Sequence, residues 1–168
     1  MPENDDIVIN TSPVVALVAA TGDLRVLRRY RRVYVPLEVC REVEAGGAGQ
    51  FAVAEFLQAN WLHKSTTPIS LSTMLGNTLD LGEASVIQLA LNQNIQTVCI
   101  DESAGRRIAR LSGLKVTGSL GILIKAKREG HPIRIAEAIV RMHQHGIWLS
   151  ERVVRDALSQ AGEDPIQP

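Results

Sequence analysis

Aromatic side chains are scarce in this chain: they make up 4% of its 168 residues, against 45% for the hydrophobic set as a whole. A core must therefore be built from Val, Ile, Leu and Ala, which suits helices layered on a sheet better than an aromatic-rich binding module. Cysteine is nearly absent. Cys40 and Cys99 sit inside apolar runs with no CxxC or Cys/His spacing, so they read as small buried residues of a reducing compartment rather than a disulfide or zinc ligands. No apolar run approaches the roughly 20 residues of a membrane span. Met1–Asp6 is too acidic for a secretory signal, and a cytoplasmic protein is expected. Neither charge is in excess, since 18 Lys plus Arg face 18 Asp plus Glu; a nucleic-acid partner would need a local basic patch. No GxGxxG or P-loop follows any predicted strand, which leaves nucleotide binding on a Rossmann-like sheet without support.

Short β-branched runs alternate with helical stretches. Asp6–Ile9, Arg32–Val35, Thr97–Ile100 and Leu114–Thr117 read as buried strands, and Trp61–His63 as a brief one. Ser12 as N-cap and Pro13 at the first helical position open a helix through Ala20. Further helices are predicted over 24–30, 36–45, 48–59, 82–92, 102–111 and 119–129, with Lys64–Asn77 as an irregular connection. Two more, over 133–144 and 151–161, flank the apolar Ile147-Trp148-Leu149, and the chain is expected to be loose from Gly162. The alternation predicts an α/β fold with a short parallel central sheet flanked by helices on both faces. The chain is read as a single domain over 1–168, with a core over about 7–130 and a helical extension over 131–162. In such sheets ligands bind beyond the carboxyl ends of the strands. That rule points to Asn10–Ser12, Asp101–Glu102 and Gly118–Ser119.

Acidic residues near those ends are candidates for chemistry. Asp101 directly follows a strand, where it can cap the next helix or bind a cation. Glu102 fits a first-turn residue favoured by the helix dipole. Asp80 and Glu83 have capping-box spacing, yet Glu83 lies above Val86, Ile87 and Ala90, the apolar stripe of its own helix, where a carboxylate needs compensation. On the helix after Pro36, Glu42 borders the apolar stripe while Glu38 and Glu44 fall towards solvent. Carboxylates about 4 Å apart repel by roughly 4 kcal/mol at an effective dielectric near 20. A cluster of them takes up protons or a hard cation, and oxygen-only ligands select Mg²⁺ or Mn²⁺.

Five segments in order, Ile9–Leu17, Val35–Val43, Leu81–Ala90, Ile100–Ala109 and Val116–Leu123, together resemble a branch of the PIN-domain family. The resemblance implies a three-layer PIN-like fold and a metal-dependent endoribonuclease, in many cases the toxin of a toxin–antitoxin pair. It implies Glu42, Glu83 and Asp101 as catalytic residues, and Asn10 with those three as ligands of Mg²⁺ or Mn²⁺. Ser12, Glu102 and Ser119 are auxiliary positions. RNA is the implied substrate, with an antitoxin protein and a second copy of the chain as partners. One departure matters: the first-strand position, Asn10 here, is typically Asp in active PIN nucleases. That leaves a second reading open, a catalytically weak or inactive PIN-like protein acting through a protein or RNA partner.

Basic residues fall in two groups. Arg25, Arg28, Arg29, Arg31 and Arg32 crowd one stretch, which suits a solvated face or a phosphate patch. Arg106, Arg107 and Arg110 follow Asp101 and are the preferred RNA-backbone contacts. Neither group has interleaved exposed aromatics, so base stacking is not indicated. His63, His131, His143 and His145 share no metal spacing beyond a lone His-x-His, and Trp148 fits either core or an interface.

Overall fold

Runs of two or three residues, mostly β-branched at the centre, form the sheet: β1 (Ile7–Ile9), β2 (Val33–Val35), β3 (His63–Lys64), β4 (Thr97–Cys99) and β5 (Lys115–Thr117). This is a computed structural model, and it describes residues 5–46 and 50–164. All pairings are parallel, in the order β3-β2-β1-β4-β5. Central β1 aligns Ile7 with Val33 on one side and Ile9 with Cys99 on the other. Every residue of β1 is buried, which is why it reads as a continuous apolar run rather than an alternating one.

The helices are α1 (Thr11–Thr21), α2 (Leu37–Ala45), α3 (Val53–Gln58), α4 (Thr73–Thr78), α5 (Leu81–Gln93), α6 (Ser103–Leu111), α7 (Ser119–Arg128), α8 (Ile135–Gln144) and α9 (Glu151–Ala161). They pack in two groups: α1 with α7 and α8, and α5 with α2, α4 and α6. The result is the expected three-layer α/β fold. Ile7, Leu17, Ile87, Ile100 and Ile122 are fully buried at its centre, each worth roughly 1.5–3 kcal/mol of transfer free energy. Ile139 of α8 and Leu158 of α9 join the same cluster, so the C-terminal helices share the core of the sheet.

Several elements depart from expectation. Helix α1 starts at Thr11, with Asn10 at the cap position and no side-chain cap bond. The hydroxyl of Ser12 is spent elsewhere, and Pro13 still falls in the first turn, where its missing N–H costs nothing. Residues 24–30 form only a 3₁₀ turn, Arg25–Arg29. The connection over 64–77 contains α4, whose N-terminal Leu75 N–H donates to Ser72 Oγ (3.3 Å); its polar sequence and Gly76 hid it. The helix over 48–59 shortens to α3; Gly47, Ala48 and Gly49 lie outside the described residues. The brief strand shifts from Trp61–His63 to His63–Lys64. Nor is the chain loose directly after Gly162. Glu163 accepts from the N–H groups of Ile135 (2.7 Å) and Ala136 (3.0 Å) and pairs with Lys127 (2.7 Å), which ties the end of α9 to the start of α8. Among the described residues, no helix is long and apolar enough to cross a membrane.

Candidate active site

Strand order reverses between β1 and β4, and that switch point is where a parallel sheet opens a crevice at its carboxyl edge. Asn10 stands at the end of β1, its N–H donating to the Cys99 carbonyl of β4 (3.0 Å). The Asn10 side chain is 4% exposed, and its Oδ1 is buried with no hydrogen-bond partner among the described residues. An orphaned amide oxygen in a protein interior costs roughly 1–3 kcal/mol, so it marks a position that wants a donor or a cation. Glu42 reaches the same place from α2. Both its carboxylate oxygens and Asn10 Oδ1 lie within 3.1 Å of the point a Cβ would occupy on Gly82. A side chain there would push the Glu42 carboxylate out of this place. Thr11 Oγ1 donates to Glu42 Oε2 (2.6 Å).

Glu83 follows Gly82 at the start of α5. The carboxylate of Asp80 accepts its backbone N–H (2.9 Å), so Asp80 caps this helix as its spacing predicts. The Glu83 side chain is 5% exposed and faces Gly105 of α6, with Oε1 3.0 Å from the Cβ point of that glycine. Burial, then the charges of Asp80 and Glu102, push its pKa up to about 6.

Asp101 does not cap α6, whose cap position is Glu102. It serves α7 instead. Ser119 donates its backbone N–H to one Asp101 oxygen (2.8 Å) and its hydroxyl to the other (2.9 Å). Burial raises the Asp101 pKa, and the two Ser119 bonds oppose the rise. Glu102 is exposed and accepts from the Ser12 hydroxyl. Arg106 donates to the Ile100 carbonyl (2.8 Å), and its guanidinium and Asp101 Oδ1 both approach the Cβ point of Gly118 within 2.8 Å. Arg107 and Arg110 are exposed on α6, outside the cavity that Arg106 lines.

The fold therefore brings Asn10 and Glu42 together at Gly82, sets Glu83 beside them in sequence against α6, and fixes Asp101 against α7. It does not gather them into one tight ring: among the described residues, no three His, Cys, Asp or Glu side chains are close enough to hold a metal ion together. The donor chemistry still fits a hard cation. Mg²⁺ commonly takes one or two carboxylates and fills the rest of its octahedron with water, and the unpartnered Asn10 oxygen beside Glu42 supplies oxygen donors of that kind. Sequence reasoning missed Thr11, which steadies Glu42, and the site-facing role of Gly82, Gly105 and Gly118. The available signals were Gly82 next to Glu83 and Gly118 next to Ser119.

Glu38 was also misjudged. Expected towards solvent, it is 6% exposed, and one of its oxygens accepts the Ile69 N–H (2.9 Å). The 65–72 segment folds over it, which no periodicity within α2 could reveal. Three of the five crowded arginines are spent on carboxylates, Arg25 on Asp23, Arg29 on Glu129 and Arg31 on Asp6, while Arg28 lies over Trp61 and Arg32 reaches the Tyr34 hydroxyl (3.5 Å).

A cavity of about 870 Å³ opens from Ser12, Asp101, Glu102 and Ser119 towards Trp148 and α9. A parallel three-layer sheet with acidic and amide side chains at its switch point defines an α/β domain of nuclease type. The PIN-domain family model, DUF3368, matches residues 6–163, and the chain belongs to that family. PIN domains are typically nucleases and generally use divalent metals. No curated protein matches the chain.

Proposed function

We propose that this protein is a Mg²⁺- or Mn²⁺-dependent endoribonuclease, hydrolysing phosphodiester bonds at the carboxyl edge of its sheet. The observation that carries this reading is the buried, unpartnered Asn10 oxygen beside the Glu42 carboxylate at the strand switch point. Asn10 and Glu42 would hold the cation, with Glu83 and Asp101 as further oxygen donors, directly or through water. When bound, such a cation supplies an activated water and neutralises charge on the phosphodiester. The protein's own groups do the rest. Ser119 clamps Asp101 in one orientation, Thr11 does the same for Glu42, and Arg106 faces the cavity as a phosphate-orienting cation. Without a cation, burial pushes the Glu83 pKa up to about 6; a bound cation would hold the carboxylate ionised, as a ligand must be.

The test is cleavage of an unstructured RNA in Mn²⁺. EDTA should abolish it, and Asp101→Ala should lower it by on the order of a hundredfold or more, beyond the usual loss for a residue that only supports ligands. Full activity in Asp101→Ala rules out this site. The partners belong to the same proposal: RNA as substrate, an antitoxin protein that masks the site, and a second copy of the chain, in the cytoplasm. Toxicity on expression that Asp101→Ala relieves would support the toxin role, and unimpaired growth with active wild type would count against it.

A second reading is favoured by Asn10 itself. An amide brings no charge, so cation affinity is lower than an aspartate would give, and the chain could work as a binding protein. Calorimetric Mn²⁺ titration separates the two. Binding by the wild type supports the nuclease, whereas binding gained only in Asn10→Asp supports the non-catalytic reading.

A further inference from the structure

Folding brings an aromatic side chain to the site from a segment more than forty residues beyond Asp101 in sequence. Trp148 is 82% exposed, the most exposed of the large hydrophobic side chains described. A lone exposed apolar residue is ordinary, but this one lines the same cavity as Ser12, Asp101, Glu102 and Arg106. Its ring is backed by His143, with centroids 5.6 Å apart and planes 29° from parallel. The supporting loop is tied down on both sides. Ile147 N–H donates to the Met142 carbonyl (3.0 Å), Gly146 N–H to the His143 carbonyl (3.0 Å), and Ser150 Oγ accepts from Val153 N–H (3.2 Å) at the start of α9. The result is a fixed aromatic face at one end of a groove whose other end carries the acids.

The chemistry of the lining indicates what the groove takes. The acids Asp101 and Glu102 lie at the catalytic end, with Arg106. Asp156 of α9 also lines the cavity, and it faces Arg152, one turn away at 4.0 Å. A nucleotide strand fits this lining through a phosphate on Arg106, beside Asp101, and a base on the Trp148 ring. Stacking is open to unpaired bases, because in a duplex both faces of each base are already covered.

We propose that Trp148 is a base-stacking subsite, so that the groove from Asp101 to α9 takes single-stranded RNA and discriminates against duplex. This rests on the ribonuclease reading for the chemistry but not for the binding. The experiment uses the full chain in a Trp61→Phe background, so that fluorescence reports Trp148 alone. A short unstructured RNA added in EDTA, where no cleavage occurs, should quench the signal, and the matching duplex should not. Trp148→Ala, a change at an exposed position, should weaken single-strand binding by on the order of tenfold, and Trp148→Phe should restore most of it. In Mn²⁺ the alanine variant should raise KM with kcat little changed.

Quenching and tenfold loss without cleavage by the wild type would uphold the subsite and sink the nuclease. Cleavage by the wild type with unchanged binding and KM in Trp148→Ala would uphold the nuclease and sink the subsite. Equal quenching by duplex overturns the proposal. So does a signal moved by a cationic amphipathic peptide but not by RNA.

Discussion

Two regions of this molecule are rich in charge, and they spend it differently. In the stretch from Arg25 to Arg32, arginines find carboxylates: Asp23, Glu129 and Asp6 each take one. At the carboxyl edge of the sheet, the acids are held by neutral donors instead. Thr11 holds Glu42, Ser12 holds Glu102, and Ser119 holds both oxygens of Asp101. Neutral donors orient a carboxylate without cancelling its charge, so this edge keeps an unmet demand for cations that the arginine stretch has already satisfied. A formal charge of zero hides that partition. The first region spends charge on stability and the second keeps it for chemistry.

The sharpest break in that comparison is Arg29→Ala. The Arg29 side chain is 5% exposed, and its loss leaves Glu129, 31% exposed, without its partner. Urea unfolding should show a loss of about 1–2 kcal/mol, above that of a surface pair because Arg29 is buried and below that of a buried pair because Glu129 stays in water. RNA cleavage by the folded fraction should be unaltered. An undiminished stability would mean that this pair, too, is mere surface decoration.

Glu83→Gln should act in the opposite direction. The folded-state pKa of Glu83 is raised to about 6, so the folded form binds the proton more tightly than the unfolded chain does. Its contribution to stability is therefore greatest below the ordinary carboxylate range and is lost as pH rises through about 6. The glutamine variant should melt at a higher temperature than the wild type at about pH 8 and show no advantage at about pH 4. Mn²⁺ should raise the melting temperature of the wild type at the higher pH more than that of the variant. An advantage that is the same at both pH values would show that Glu83 carries no unmet charge.

Arg31→Ala should have the smallest effect. Its bond to Asp6 is bidentate, at 2.8 and 2.9 Å, but the arginine is 57% exposed. Surface pairs of this kind contribute little, and high salt should erase the difference. A loss as large as that of Arg29→Ala would dissolve the distinction between the two pairs.

Periodicity, strand runs and turn residues made the parallel α/β layout and most element positions legible before any coordinates. The strand at Ile7–Ile9 and the helix at Glu151–Ala161 follow from local pattern alone, because β-branched runs and a capped amphipathic repeat each permit one backbone period. What local pattern handles poorly is polar sequence that is buried by something distant. The fate of Glu38 depends on the chain near Ile69, and helix α4 depends on the burial of Leu75.

By itself, the sequence determined which side chains stand at strand ends, since that depends only on where short apolar runs stop. The tertiary structure alone decided that Asn10 and Glu42 meet over Gly82, that Asp101 is bound by Ser119 rather than capping its own helix, and that Trp148 shares a groove with Asp101 and Ser119. The reason is physical: contacts between distant segments are fixed by the order of strands in the sheet and the packing of helices across it. Neither leaves a periodic trace in the residues concerned.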